Sequence, residues 1–153
     1  MALRNFIVTD KPLMVAIAEP KMQFDNWKDF KWDSLGYSFV SQNSSDSGAE
    51  SLWVLKHNSI FVHSMTKMNQ FVSVDFGFQG AVISLSFDYA SNFYIKRRGL
   101  WKDRESISDR LAKSWVVVGE LNTILRPDEN FGFHFNKLAA NYFAVCIDKC
   151  NLS

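Results

Sequence analysis

The sequence predicts an α/β fold, a mixed and mostly antiparallel sheet with flanking helices. Residues 71–76 and 82–87 alternate apolar and polar side chains, the mark of strands with one buried face. Apolar residues from Phe135 to Ile147 recur at helical spacing, and Leu100, Arg104, Ile107 and Leu111 mark a single helical stripe with Trp101 beside it. Residues 13–18 and 115–118 are short unbroken apolar runs, the pattern of strands covered on both faces.

In chain order, residues 1–10 place Leu3, Phe6 and Ile7 on one helical face, and Lys11-Pro12 ends that helix. Residues 13–18 read as a buried, parallel-type strand that delivers Glu19 at its C-terminal end, where Pro20 stops it. Over 23–36, Phe24, Trp27, Phe30, Trp32 and Leu35 lie among Asp and Lys, which fits a short helix or an aromatic-pinned loop. Residues 37–40 read as a strand and the Ser-rich stretch 41–50 as a surface loop. Strands at 52–55, 60–63, 71–76 and 82–87 follow, with turns short enough for an antiparallel meander. Residues 96–111 read as a helix and 115–118 as a buried strand, after which Gly119 frees the backbone. Arg126-Pro127-Asp128 is turn chemistry within the loop 123–134, and a C-terminal helix follows. No repeat or linker divides the chain, so one domain over 1–153 is expected.

At 153 residues, with 47% hydrophobic and 15% aromatic content, the chain can bury a core and is too apolar for disorder. A net charge of +1 creates no global field toward nucleic acid or membrane, so attraction for phosphate must come from a local patch or a bound cation. No apolar run approaches bilayer length, and the N-terminal residues lack a signal-type apolar core. Cys146 and Cys150 share a helix without metal-ligand spacing and read as buried thiols of a reducing compartment. An intracellular location, nuclear or cytoplasmic, is expected.

The stretch Trp115-Val116-Val117-Val118-Gly119-Glu120-Leu121-Asn122 ends a buried strand in polar groups, a placement suited to meeting a ligand in a crevice. It resembles the Gly-Asp-Phe-Asn strand end of the endonuclease/exonuclease/phosphatase superfamily, the DNase-I-like fold. Ala18-Glu19-Pro20-Lys21-Met22, Phe87-Asp88-Tyr89-Ala90-Ser91-Asn92 and Arg97-Arg98-Gly99-Leu100-Trp101 extend the resemblance in the family's order. The nearest likeness is to the endonuclease domain of plant LINE-type (non-LTR) retrotransposons. It runs from about Leu3 to the C-terminus and covers part of a family domain. It implies a partial DNase-I-like α/β sandwich and metal-dependent cleavage of phosphodiesters in DNA.

Such hydrolysis needs a divalent cation to neutralise phosphate charge, a base to activate water, and donors for the phosphate oxygens. By position, the resemblance makes Glu19 a carboxylate ligand for Mg²⁺ or Mn²⁺ and Tyr89 a hydroxyl against the scissile phosphate. It makes the acid at 120 the group that orients or activates water, and Asn122 a contact to a phosphate oxygen. Without the resemblance, Glu19 reads as an acid closing a strand. The family has Asp where this chain has Glu120, which is one methylene longer and softer. A misplacement of about 1 Å costs on the order of a hundredfold in rate.

The family pattern also includes an upstream strand carrying Asn or Asp, and a downstream Asp and Asp-His pair. Neither has a counterpart here, so a chain truncated at both ends is expected. Such a chain leaves a sheet face without its partner and open to self-association. His57, His63 and His134 occupy no acid-His setting and read as surface or capping residues. Lys96-Arg97-Arg98 reads either as a phosphate-steering patch or as a solvated helix start. Phe93 and Tyr94 beside it either stack on bases or belong to core and rim. The expected function is that of a degenerate nuclease relative with little or no activity. The alternatives are a live metal-dependent phosphodiesterase, and a non-catalytic module that binds nucleic acid or protein through Lys96, Arg97 and Arg98.

Overall fold

The alternating strands sort into two facing sheets rather than one meander. The computed structural model describes residues 2–20, 31–43, 52–111, 114–129 and 134–152. Among these residues the order is α1 (Ala2–Asp10), β1 (Met14–Ala18), β2 (Tyr37–Gln42), β3 (Leu52–His57), β4 (Val62–Lys67), β5 (Phe71–Phe78), β6 (Ala81–Tyr89), α2 (Tyr94–Ser108), β7 (Ser114–Glu120) and α3 (Lys137–Lys149). One sheet has the order β1-β3-β2 and the other β4-β5-β6-β7. All pairings are antiparallel except β6 with β7, which run parallel across the crossover helix α2. Parallel neighbours require such a crossover, and the helical stripe at Leu100, Arg104 and Ile107 supplies it.

Period two then decides what each strand covers. Leu52 and Val54 of β3 meet Val72 and Val74 of β5 and Phe87 of β6, which forms the layer between the sheets. The opposite face of β3 sends Leu55 to Val15, Tyr37, Trp32 and Ile7, under α1 and a 3-10 turn at Trp32–Leu35. The opposite face of the larger sheet sends Phe71 to Leu100, Trp101 and Ile107 of α2 and to Cys146 of α3. The result is helix, sheet, sheet, helix. Strand β5 is covered on both sides, so Phe71, Val72, Ser73 and Val74 are all buried although the sequence alternates.

Several sequence expectations change. Strand β3 is not part of the meander but the centre of the first sheet, and β4 begins two residues later than expected. Strand β1 is antiparallel and lies at an edge, with Ala16 and Ala18 exposed. Strand β7 is likewise an edge strand, with Val116 and Val118 exposed. An unbroken apolar run signals burial only when neighbours exist on both sides, and these runs have a neighbour on one. The surface loop expected at 41–50 begins later, since Ser41 and Asn43 are buried. The Asn43 side chain donates to Asn69 O at 2.6 Å and accepts from Leu52 N at 3.0 Å. The rest of that loop, and Phe24, Trp27 and Phe30, lie outside the described residues. The sheet face expected to lie open and drive self-association is covered where β3 packs on β5 and β6, while Val116 and Val118 of β7 stay exposed beyond that cover. No described helix is long and apolar enough to cross a membrane.

Candidate active site

Three strand tips meet at one end of the gap between the sheets. Glu19 follows the last residue of β1, and Tyr89 and Glu120 end β6 and β7. Parallel register places Tyr89 directly beside Glu120. In the pleat they share a face with Phe87 and Val118, the side turned toward the first sheet. Across the gap, the Tyr89 hydroxyl donates to the Glu19 carboxylate, joining residues 70 positions apart. This bond pushes the Tyr89 phenol up to about 12, helped by burial and by the negative charges of Glu19 and Glu120. Tyr89 is therefore a protonated hydroxyl at neutral pH.

The backbone is held in uncommon conformations at this end. Glu19 has φ +45° and Asn122 φ +49°. Such left-handed residues cost on the order of 1–3 kcal/mol each, and Lys11, Lys31, Gln79 and Asn151 adopt the same region elsewhere in the chain. Gly119 has φ +139°, and a Cβ there would stand 2.1 Å from the carbonyl oxygen of Asp88. Only glycine lets β7 approach β6 closely enough to set Glu120 beside Tyr89.

Asn122 serves the scaffold. Its Nδ2 donates to Ala90 O at 2.6 Å, while Ala90 N donates to Glu120 O at 2.8 Å. The turn after β6 is thus tied to the end of β7, and one of the two Asn122 amide protons is committed to it. Beneath the tips, a cleft of about 340 Å³ runs between β1 and β7, walled by Phe6, Ala16, Ala18, Val118 and Glu120. A larger cavity of about 530 Å³ lies on the other face of β7, against α3, lined by Trp115, Val117, Phe143 and Ile147.

Asp88 and Arg104 are residues whose role the sequence reading missed. Asp88 shares the outer face of the larger sheet with Gly119, and its carboxylate pairs with Arg104 of α2 where both are buried. Burial raises the Asp88 pKa, and the Arg104 charge opposes that rise. The guanidinium also lies over the Phe71 and Trp115 rings, at 5.8 and 5.4 Å. A charge on the apolar stripe of α2 was the available signal, because a buried arginine demands a partner.

The basic run does not form one patch. Arg97 is 7% exposed, and its Nη1 donates to Ser91 O at 2.7 Å and Asn92 O at 2.9 Å. Arg98 stacks its guanidinium 4.5 Å from the Tyr142 ring centroid. Lys96 stands 5.7 Å from the Phe93 ring. The expectation that Arg97 steers phosphate is corrected here, since its guanidinium supports a loop.

The histidines lie elsewhere. His57 ends β3 near the start of β1, the far end from Glu19, with its ring edge-on to Tyr37 at 5.2 Å. His63 sits on β4 beside Gly77, which pairs with Val82 at the start of β6. That is a strand's length, ~20 Å, from Tyr89. His134 is exposed just before the α3 cap residue Asn136.

Among the described residues no group of three or more His, Cys, Asp or Glu gathers as a metal cage. Glu19 and Glu120 are nevertheless hard oxygen donors beside a phenol, a set that suits Mg²⁺ or Mn²⁺. Those cations bind through one or two carboxylates and complete their shell with water and phosphate.

No protein-family model matches the chain, and no curated protein matches it. Solved structures do. An AP endonuclease from Archaeoglobus fulgidus superposes with a TM-score of 0.74 at 13% identity, over 95% of this chain and 63% of its own. The endonuclease domain of TRAS1, a telomere-specific non-LTR retrotransposon, gives 0.70 at 13% identity, over 97% of this chain and 64% of its own. D. rerio TDP2 complexed with a single-strand DNA product gives 0.59 at 14% identity, over 80% of this chain and 53% of its own. The chain thus spans less than two thirds of the length of each. It has the DNase-I-like α/β fold that these nucleases and phosphodiesterases share.

Proposed function

We propose that the chain is a weakened metal-dependent phosphodiesterase of the endonuclease kind. Its phosphate-holding half is present and its proton-transfer half is depleted. The observation that carries this reading is the Tyr89–Glu19 hydrogen bond between two sheets, with Glu120 in register beside it. A LINE-type retrotransposon origin and DNA as substrate are part of the proposal, supported by the motif order and by the fold shared with TRAS1 and AP endonucleases.

Glu19 and Glu120 would hold Mg²⁺ or Mn²⁺. When bound, the cation neutralises phosphate oxygens and lowers the pKa of water. Tyr89, protonated up to about pH 12, donates its hydroxyl to Glu19 and is placed to donate to a phosphate oxygen instead. Asn122 positions the pocket by tying Ala90, and its second amide proton remains for a ligand. Among the described residues, no histidine stands beside these strand tips as a proton-transfer group. His57 and His63 sit at the opposite ends of their sheets. General acid–base catalysis typically contributes about 10²–10⁴-fold, so cleavage should be slower than that of a complete site by about that factor.

Nicking of supercoiled plasmid tests this. Slow nicking that requires Mn²⁺ or Mg²⁺ and disappears with Glu19→Gln is the expected result. No metal-dependent nicking, or nicking indifferent to Glu19→Gln and Glu120→Gln, would contradict it.

A further inference from the structure

Immediately after Tyr89 the chain makes a turn that is braced far beyond what a connection needs. Ser91 N donates to Gln70 Oε1 at 2.7 Å, and Gln70 Nε2 donates to Lys96 O at 3.0 Å. The buried Arg97 holds the carbonyls of Ser91 and Asn92. Phe93 N donates to Ser91 Oγ at 3.2 Å, and Ala90 is tied to Glu120 and Asn122.

What this frame presents is Phe93, 69% exposed, followed by Ile95, 65% exposed. Phe93 is also the N-cap residue of α2 and supplies no side-chain cap. Ser, Thr, Asp or Asn at that position would stabilise the helix by about 1 kcal/mol. Phe93 thus leaves the helix uncapped and keeps its own ring out of the core. Single exposed apolar residues are common; one carried on a turn braced by seven polar contacts and set beside the candidate site is not explained by packing. The Lys96 ammonium lies 5.7 Å from the ring centroid, so the platform carries positive charge.

We infer that Phe93 is a stacking platform for an unpaired nucleobase, with Lys96 attracting the adjoining phosphate. Phe93 lies three residues after Ala90, a span of at most ~11 Å. At about 3.4 Å of rise per nucleotide, the stacked base lies within about three nucleotides of a phosphate held at Glu19, Tyr89 and Glu120. An exposed, rigid aromatic can stack on any base, so recognition depends on the strand being unpaired more than on its sequence. The chain would then prefer single-stranded or frayed substrate over intact duplex.

This inference rests on the phosphodiesterase reading for its location but is tested apart from it. The full chain is titrated, in EDTA, into oligo-dT, oligo-U and duplex DNA of equal length. Kd is followed by anisotropy, and stacking by quenching of a 2-aminopurine placed in the oligo-dT strand. Phe93→Ala should weaken single-strand binding about tenfold and remove the quenching. Phe93→Trp should retain both, and Phe93→Leu should fall near Phe93→Ala. Duplex binding should change less than twofold. Equal Kd values for wild type and Phe93→Ala, equal performance of Leu and Phe, or no single-strand binding by wild type would overturn it. Phe93→Ala should weaken binding of oligo-dT and oligo-U alike, because both offer an unpaired base face to the ring, and dependence on Phe93 for only one of them would count against the platform. Binding that depends on Phe93 without any metal-dependent nicking would leave this inference standing and remove the hydrolytic reading. Metal-dependent nicking together with equal single-strand Kd values for wild type and Phe93→Ala would do the reverse.

Discussion

Replacing Gly119 with Ala strikes the contact that sets the two carboxylates. The added Cβ would stand 2.1 Å from Asp88 O, where real Cβ contacts essentially never fall below 3.0 Å. Strand β7 must therefore move by about 1 Å, and φ +139° must be abandoned or held under strain. Backbone strain there costs about 1–3 kcal/mol, and overpacking about 1–3 kcal/mol more. Because β7 is an edge strand, its end can peel outward, which relieves part of the clash and carries Glu120 away from Tyr89. The expected net loss is about 2–3 kcal/mol, or about 4–12 °C in Tm for a chain of this size. A 1 Å displacement of Glu120 should also reduce nicking on the order of a hundredfold. Gly80→Ala is the control, since Gly80 has φ +81° with open space around its missing Cβ. It should cost about 1 kcal/mol and leave nicking unchanged. Circular-dichroism melts and plasmid nicking of both variants are the assays. A Gly119→Ala chain that melts within 1 °C of wild type and nicks at the same rate would refute the close-approach reasoning.

The ultraviolet titration of the tyrosines should contain one phenol with its midpoint near pH 12, and Glu19→Gln should bring it back toward 10. Because the folded-state value is raised, the stabilisation from this bond is complete below pH 10 and is lost as pH rises through about 12. Arg104→Leu should destabilise by about 3–5 kcal/mol, since it strands the buried Asp88 carboxylate. Adding Asp88→Asn should recover part of that loss in urea melts, and a double variant no better than the single would count against the pair. Arg97→Gln should lower Tm and alter oligonucleotide binding only by loosening the Phe93 turn. Arg98→Gln should reduce salt-dependent binding with little change in Tm.

The element types were visible in the sequence because periods of two and 3.6 survive in single segments. Residues 71–76, 82–87 and 135–147 each declare themselves without help from the rest of the chain. Sheet membership was not visible. Leu52 to Leu55 looks the same whether its neighbour is β4 in a meander or β1 and β2 in a separate sheet, since pairing depends on residues far away. The same limit misplaced Trp115 to Val118, whose apolar run became an exposed edge. The candidate site residues Glu19, Tyr89, Glu120 and Asn122 were named by motif. Their convergence could be learned only from the fold, and so could the turning of Asn122 onto Ala90 O. The basic run was misleading because composition does not say which guanidinium is buried, and Arg97 is. Arg104 was legible in principle, since it stood on an apolar stripe.

The proposed site joins two carboxylates from different sheets around one cation and one phosphate. Mn²⁺ binding followed by electron paramagnetic resonance measures this most directly. Wild type should bind one Mn²⁺. Glu19→Gln and Glu120→Gln should each weaken it at least tenfold, and the double variant should be little worse than either single one. Undiminished binding in both single variants, or no binding in wild type, would contradict the claim that these strand tips form one site.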